Sequence, residues 1–247
     1  EKEKLWTEAE RQAAAIRSLA GFVRYMWDVF SPGKDLLWNP HIPIICEAIE
    51  DLVAAEPGTE LVICQPPRTM KSILVSVMFP AWLWLQCPET VFLGISCSEK
   101  VAGRDSLAMR LIIASDRYKG LIRLAKETWP WMPAWEMSRD QYSKTNFQNT
   151  EKGQRQCFTP GTTIIGSNCD YRIVDDPYDV LEATKGPPER IAERMTDIVS
   201  TYGQSWQSRF SAGGPKKSLI IMQRLHENDL AGERIKAGAR SVVLPMH

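Results

Sequence analysis

Residues 61–76 read LVICQPPRTMKSILVS, an apolar run followed by a proline-rich turn and a second apolar stretch. The first run is typical of a buried strand, and the stretch from Lys71 predicts a helix. A strand, turn and helix with a lysine and a hydroxyl at the helix start is how proteins bind phosphate groups and the accompanying Mg²⁺. The candidate nucleotide-binding residues are therefore Gln65, Pro66, Pro67, Arg68, Thr69, Met70, Lys71 and Ser72.

This turn departs from the usual phosphate-loop pattern GxxxxGK[ST] at both glycines. Gln65 and Met70 stand at the two glycine positions. Taken alone, the stretch is equally well described as an ordinary turn that carries a surface lysine. A second signal is needed to decide between the two interpretations.

A second signal lies at residues 171–177, which read YRIVDDP. A short strand, Arg172 to Asp175, ends there in two adjacent carboxylates. In a phosphate-loop enzyme, the first acid orders the Mg²⁺ shell, and the second can polarise the attacking water. Asp175 is thus the metal candidate together with Ser72, and Asp176 is the catalytic candidate. The alternative is a solvated Asp-Asp-Pro turn.

A third polar cluster, residues 222–232, reads MQRLHENDLAG and follows the predicted strand Ser218 to Met222. Ligands of parallel sheets bind where the strands end, so this cluster is expected beside the acidic pair. Gln223 and Arg224 are candidates for sensing a terminal phosphate. His226 and Glu227 belong either to the same coupling segment or to a helix cap.

The remaining pattern alternates strands with helices and predicts a mainly parallel sheet covered on both faces. Trp129 to Met137 is predicted to be irregular, and Gln156 to Thr159 is predicted to form a hairpin with Thr162 to Ile165. The other predicted elements are the helices Ala15 to Phe30, Pro43 to Ala55, Glu99 to Ala114 and Pro188 to Tyr202, and the strands Val91 to Ser96 and Val242 to Leu244.

Composition limits the classes of function. Thirty Lys and Arg residues balance thirty Asp and Glu residues, which argues against a domain that grips nucleic acid by charge alone. The six cysteines have no metal-site spacing and indicate no disulfide framework, as expected of a reducing cytosol. No apolar stretch is long enough to span a bilayer, so no membrane partner is expected.

Together, the segments PPRTMKS, IVDDP and QRLHENDLAG resemble those of the large subunit of tailed-phage terminases, whose patterns read PPRxGKS, IDDP and TRWHEDDLAG. The resemblance implies a P-loop NTPase fold of the additional-strand (ASCE) type that uses ATP and Mg²⁺. It implies a single motor domain over residues 1–247, with a helical part at 1–58 and the phosphate-loop core at 59–247. The nuclease domain of that family is expected to be absent from this chain.

The resemblance also suggests further site residues. Trp38 lies in LLWNPHI, which looks like the family's adenine-side segment, although a core tryptophan is nearly as good an interpretation. Motors of this kind often need an arginine at the terminal phosphate, in cis or from a neighbouring subunit. Arg68 is the cis candidate, Arg139 in a predicted polar loop is the trans candidate, and Arg104 is a third.

The partners that the resemblance implies are double-stranded DNA, a portal protein, a small terminase subunit and further copies of the chain in a ring. The expected location is the host cytoplasm, at the procapsid portal. Two alternatives remain open at this point: a helicase-like remodelling ATPase, and a docking module that binds nucleotide without hydrolysing it.

Overall fold

The computed structural model describes residues 6–162, 167–206 and 209–244, which form one eight-stranded sheet with helices on both faces. The strands are β1 Glu60–Cys64, β2 Val91–Ser96, β3 Met137–Tyr142, β4 Asn146–Asn149, β5 Gln154–Phe158, β6 Tyr171–Asp175, β7 Lys217–Met222 and β8 Arg240–Val243. The helices are α1 Glu8–Arg17, α2 Leu19–Phe30, α3 His41–Ala54, α4 Phe79–Leu83, α5 Glu99–Ala114, α6 Asp116–Thr128, α7 Val180–Ala183, α8 Pro188–Thr201 and α9 Leu230–Lys236, with π-helical segments at Ile73–Met78 and Tyr202–Trp206.

The strand order is β3-β4-β5-β2-β6-β7-β1-β8. Pairing is parallel from β5 to β8 and antiparallel at the β3-β4-β5 edge. Strand β7 lies between β1, which precedes the phosphate loop, and β6, which ends in the acidic pair. This inserted strand is what distinguishes the additional-strand class of P-loop NTPases, so the predicted fold class is confirmed.

The central strands are buried on both faces, which explains why they read as continuous apolar runs. In β1, Val62 and Ile63 are both fully buried but belong to two different cores. One core lies under the helices α1 to α6, and the other lies under α8 and α9. No helix in residues 6–162, 167–206 and 209–244 has the length and apolar character needed to cross a bilayer.

The predicted helix Ala15 to Phe30 is divided at Ser18. The Ser18 N–H donates to the Ala14 carbonyl at 3.0 Å, which ends α1, and the Ser18 hydroxyl accepts from the Gly21 N–H at 3.1 Å, which caps α2. At Gly21, a Cβ atom would lie only 2.5 Å from the Ala14 oxygen. Glycine therefore allows the two helices to meet closely at this corner.

The predicted hairpin around Pro160 and Gly161 is wrong. Strand β5 has β4 on one side and β2 on the other, so no edge of it is free for Thr162 to Ile165. Residues 163–166 themselves lie outside the described residues. The antiparallel partner of β5 is instead β4, which precedes it in the chain. Strand β4 was not predicted because its sequence, NFQN, is mostly polar.

Arg139 lies within β3 and not in a polar loop as predicted. Strand β3 reads MSRDQY and forms the edge of the sheet, where only one side pairs with another strand. Edge strands tolerate polar and charged residues, which blunt the open edge. Because polar residues are tolerated at the edge, β3 lacks the apolar run from which a strand is predicted.

Candidate nucleotide-binding site

The candidate phosphate loop, between β1 and the following helix, contains two left-handed residues although both glycines of the usual pattern are missing. Arg68 and Met70 adopt left-handed conformations, with φ of 65° and 64°. Left-handed residues among right-handed ones turn successive N–H groups toward one concave side, which favours anions. The Thr69 hydroxyl donates to the Pro66 carbonyl at 2.6 Å and closes the turn. Helical hydrogen bonding begins at once, from the Leu74 N–H to the Met70 carbonyl.

Lys71 reaches across the sheet to Asp176. Its Nζ lies 2.6 Å from Oδ1 and 2.5 Å from Oδ2 of that carboxylate, and the Lys71 residue is only 5% exposed. The backbone N–H of Gln223 donates to the same Oδ1 at 3.2 Å. The ends of β1, β6 and β7 therefore converge on one carboxylate.

Asp175 points to the other side of this junction and is 3% exposed. Its Oδ1 accepts from the Ser72 hydroxyl at 3.0 Å, and its Oδ2 accepts from the Ser76 hydroxyl at 2.7 Å. Burial, and secondarily the negative charge of Asp176, raise the pKa of the Asp175 carboxyl from 3.8 to about 7. A cation bound here would offset the cost of ionising this carboxyl.

The Ser72 and Asp175 pair fits a Mg²⁺ ion. Mg²⁺ is usually held by one or two protein oxygens, and phosphate oxygens and water complete its shell. The described part of the chain holds no cluster of three or more His, Cys, Asp or Glu side chains suited to a metal. An ion at Ser72 and Asp175 would thus depend on the nucleotide for the rest of its ligands.

The segment after β7 is organised by Asp229, which is fully buried and caps α9. Its carboxylate accepts from the N–H groups of Leu225 and His226 at 2.8 and 3.2 Å, and lies 3.0 Å from Arg224 Nε. The Arg224 Nη2 donates to the His226 carbonyl at 2.9 Å. Arg224 is therefore held within its own loop, and the Gln223 backbone N–H is the group of this segment that hydrogen-bonds to the acidic pair in the described residues.

His226 and Glu227 lie on the outer side of this loop. The ring Nδ1 of His226 accepts from the Asn228 N–H at 3.1 Å, and the Glu227 side chain is exposed. The helix cap itself is Asp229, whose Oδ1 accepts from the Gly232 N–H at 2.8 Å. The two residues thus border the capping turn without supplying the cap.

The three candidate arginines lie at different distances from the acidic pair. Arg68 is exposed within the phosphate loop, and Arg104 on α5 donates to buried Asp105 at 2.8 Å. This hydrogen bond is the main cause of a raised pKa at Arg104, and the charge of Asp175 contributes. Arg139 lines a cavity of about 670 Å³ beside α6, on a strand four positions from β6. At roughly 4.8 Å per strand this is about 19 Å, too far for an arginine to reach the site of its own chain.

The adenine-side segment lies against the phosphate loop. The His41 ring Nε2 is 3.1 Å from the Thr69 carbonyl oxygen. Trp38 is half-buried, and the Arg24 guanidinium lies 3.6 Å from its ring centroid. The sequence resemblance suggested Trp38 of the segment LLWNPHI, and the residue of that segment that contacts the loop is His41.

Comparison with known proteins finds similarity among solved structures. No family model matches the chain, and no curated protein matches it. Among solved structures, the large terminase of bacteriophage HK97 is similar, with a TM-score of 0.49 and 14% sequence identity. The similarity covers 89% of this chain and 42% of the HK97 chain, so this chain spans less than half the length of that protein.

Ser76 is a site residue that the sequence signal could have revealed. It lies four residues after Ser72 in an otherwise apolar helix, the spacing that puts two side chains on one helix face. This spacing therefore predicts that the Ser76 hydroxyl lies beside the Ser72 hydroxyl. Both hydroxyls contact Asp175.

Proposed function

We propose that this chain is the ATP-hydrolysing motor domain of a viral terminase, which drives double-stranded DNA into a procapsid. The observation that carries the proposal is the contact of Lys71 with Asp176 beside that of Ser72 with Asp175. These four residues belong to the segments PPRTMKS and IVDDP. Their convergence supplies a phosphate ligand, a metal ligand and a candidate general base at one sheet edge.

The reaction is hydrolysis of the terminal phosphate of ATP. Lys71 neutralises the outer phosphates, and Ser72 with Asp175 would hold a Mg²⁺ ion, which when bound would supply charge neutralisation to the transferred group. Asp176 orients the attacking water and accepts its proton. Because Lys71 binds Asp176 through both carboxylate oxygens, the phosphates must compete for Lys71, and their binding releases Asp176 for the water.

We infer that the arginine at the terminal phosphate comes from a neighbouring subunit, with Arg139 as the candidate. Its distance from the acidic pair of its own chain excludes it in cis and leaves it free to face another copy. Arg68 and Arg104, both close to the site, are the cis candidates. The proposal implies a ring of copies at a portal protein, with a small terminase subunit, in the host cytoplasm.

The test is Mg²⁺-dependent release of phosphate from ATP by the purified chain, by Lys71→Ala and by Lys126→Ala. Lys126 is an exposed lysine on α6 and serves as the matched control. We expect turnover in the wild type and in Lys126→Ala, and none in Lys71→Ala, because Lys71 supplies the positive charge that lies 2.6 Å from Asp176, where the outer phosphates would bind. Wild-type turnover in Lys71→Ala would contradict the assignment. Binding of ATP without turnover under assembling conditions would favour the docking module instead.

A further inference from the structure

One backbone carbonyl in the phosphate loop is held from two directions. The Thr69 carbonyl oxygen accepts from the Gln65 Nε2 at 3.1 Å and lies 3.1 Å from the His41 Nε2. A carbonyl oxygen only accepts, so the His41 proton must be on Nε2 and the Gln65 amide nitrogen must face it. The two donors come from different parts of the chain, α3 and the end of β1.

This carbonyl decides where the next N–H points. The Thr69 carbonyl and the Met70 N–H belong to one planar trans peptide and point in opposite directions. Fixing the carbonyl against His41 and Gln65 therefore aims the Met70 N–H away from them. Within the described part of the chain, that N–H donates to no backbone acceptor.

The same peptide leads into a strained residue. Met70 has a φ of 64°, a left-handed conformation that side chains with a Cβ disfavour and glycine adopts freely. Without support, the peptide between Thr69 and Met70 would relax toward a right-handed conformation and turn its N–H aside. Gln65 is itself 3% exposed, so its amide is well placed to resist that rotation.

We propose that His41, acting with Gln65, is a positioning residue that holds the phosphate loop open for nucleotide in place of the missing glycine. The inference rests on the proposed nucleotide-binding function and adds to it a residue outside the loop. His41 contacts the backbone of the loop at Thr69. Its contribution depends on the residue at position 70, which makes it separable from an ordinary stabilising contact.

The test combines His41→Ala with Met70→Gly. The dissociation constant of MgATP is measured for the wild type, each single variant and the double variant, with His41→Gln as the variant that keeps an N–H donor. We expect His41→Ala to weaken binding about tenfold, the effect of losing one hydrogen bond that orders a site, and His41→Gln to recover most of it. In the Met70→Gly background, removing His41 should change the dissociation constant by about twofold or less.

An equal loss of affinity from His41→Ala in both backgrounds, or no loss in either, overturns the inference while Lys71-dependent binding upholds the proposed function. Absence of MgATP binding in the wild type counts against the proposed function itself. A readout without nucleotide separates these cases: tryptic cleavage after the exposed Arg68. It should be faster in His41→Ala than in the wild type or His41→Gln, and an unchanged rate overturns the inference.

Discussion

Two adjacent carboxylates at the end of β6 occupy opposite environments. Asp176 is paired with a lysine, whereas Asp175 is buried among hydroxyls with no positive partner at hydrogen-bond distance in the described residues. Burial penalises a charge unless a counter-charge is supplied. The two carboxylates thus differ in charge compensation. Asp176 is paired with a lysine, whereas Asp175 lacks, in the described part of the chain, a hydrogen-bonded counter-charge that a bound cation would supply.

Asp175→Asn should stabilise the metal-free protein more at pH 8 than at pH 5. The folded state raises the pKa of this carboxyl to about 7, so it retains its proton at a pH where the unfolded chain has lost it. The free energy of unfolding therefore falls as pH rises from about 4 to about 7. Each pKa unit of the shift contributes about 1.4 kcal/mol, so the total loss is a few kcal/mol. Urea unfolding without Mg²⁺ at the two pH values measures the difference.

The matched control for this change is Asp197→Asn, at an exposed carboxylate of α8. It should alter the free energy of unfolding by no more than about 0.5 kcal/mol at either pH. If Asp175→Asn proves less stable than the wild type at pH 8, the carboxylate is favoured by its surroundings and the assignment of its raised pKa is wrong.

Asp176→Asn should bind MgATP as tightly as the wild type or more tightly, and hydrolyse it at least about a hundredfold more slowly. The amide removes the ion pair that phosphates must displace from Lys71, and it removes the carboxylate that takes the proton. Equilibrium binding and single-turnover hydrolysis report the two effects separately. Weakened binding with an unchanged chemical step would exchange the roles assigned to Asp175 and Asp176.

At the scale of elements, the sequence predicted the strands that carry apolar runs and missed the polar strands β3 and β4. The strands around Val62, Leu93, Ile173 and Ile220 carry continuous apolar runs because helices cover both of their faces. Strands β3 and β4 are polar and short. The strand conformation of β4 depends on its pairing with β3 and β5 more than on the strand propensity of its own residues. The Ser18 break was missed because the apolar spacing continues through it, although the serine and Gly21 mark a cap.

Gly21→Ala should destabilise the corner between α1 and α2 by about 1–3 kcal/mol, because the added methyl would overlap the Ala14 carbonyl. Gly103→Ala on α5 is the control. No atom lies within 4 Å of a Cβ built there, so higher helix propensity should make it neutral or stabilising by up to about 1 kcal/mol. Thermal unfolding of both variants checks the contrast, and an equal response to the two changes would show that the corner is not tightly packed.

At the scale of the whole molecule, the acidic pair and the phosphate loop meet because β7 separates their strands by a fixed spacing. The motifs alone predicted a shared edge, since parallel strands end together. They could not predict that the Lys71 side chain spans the gap in the free protein, or that His41 reaches the loop. Those contacts depend on side-chain packing between segments distant in sequence.

Turnover per subunit should rise with protein concentration if Arg139 acts in trans, since a missing arginine can lower the rate roughly a thousandfold or more. Arg139→Ala keeps its own loop and acidic pair, while Asp176→Asn keeps its arginine. Mixing the two inactive variants under assembling conditions should therefore restore hydrolysis at mixed interfaces. If Arg139→Ala is as active as the wild type under those conditions, Arg68 and Arg104 become the candidates.

The position of β1 in the sheet sets the order in which a nascent chain can complete its nucleotide site. Both neighbours of β1 come late in the chain, β7 at Lys217–Met222 and β8 at Arg240–Val243. At synthesis rates of 5–20 residues per second, β1 and the phosphate loop wait roughly ten to thirty seconds for these partners to leave the ribosome. During that interval β1 lacks both of the strands that pair with it in the folded sheet. Translation of β7 and β8 is thus the step that gives β1 both of its partners and completes the candidate nucleotide site.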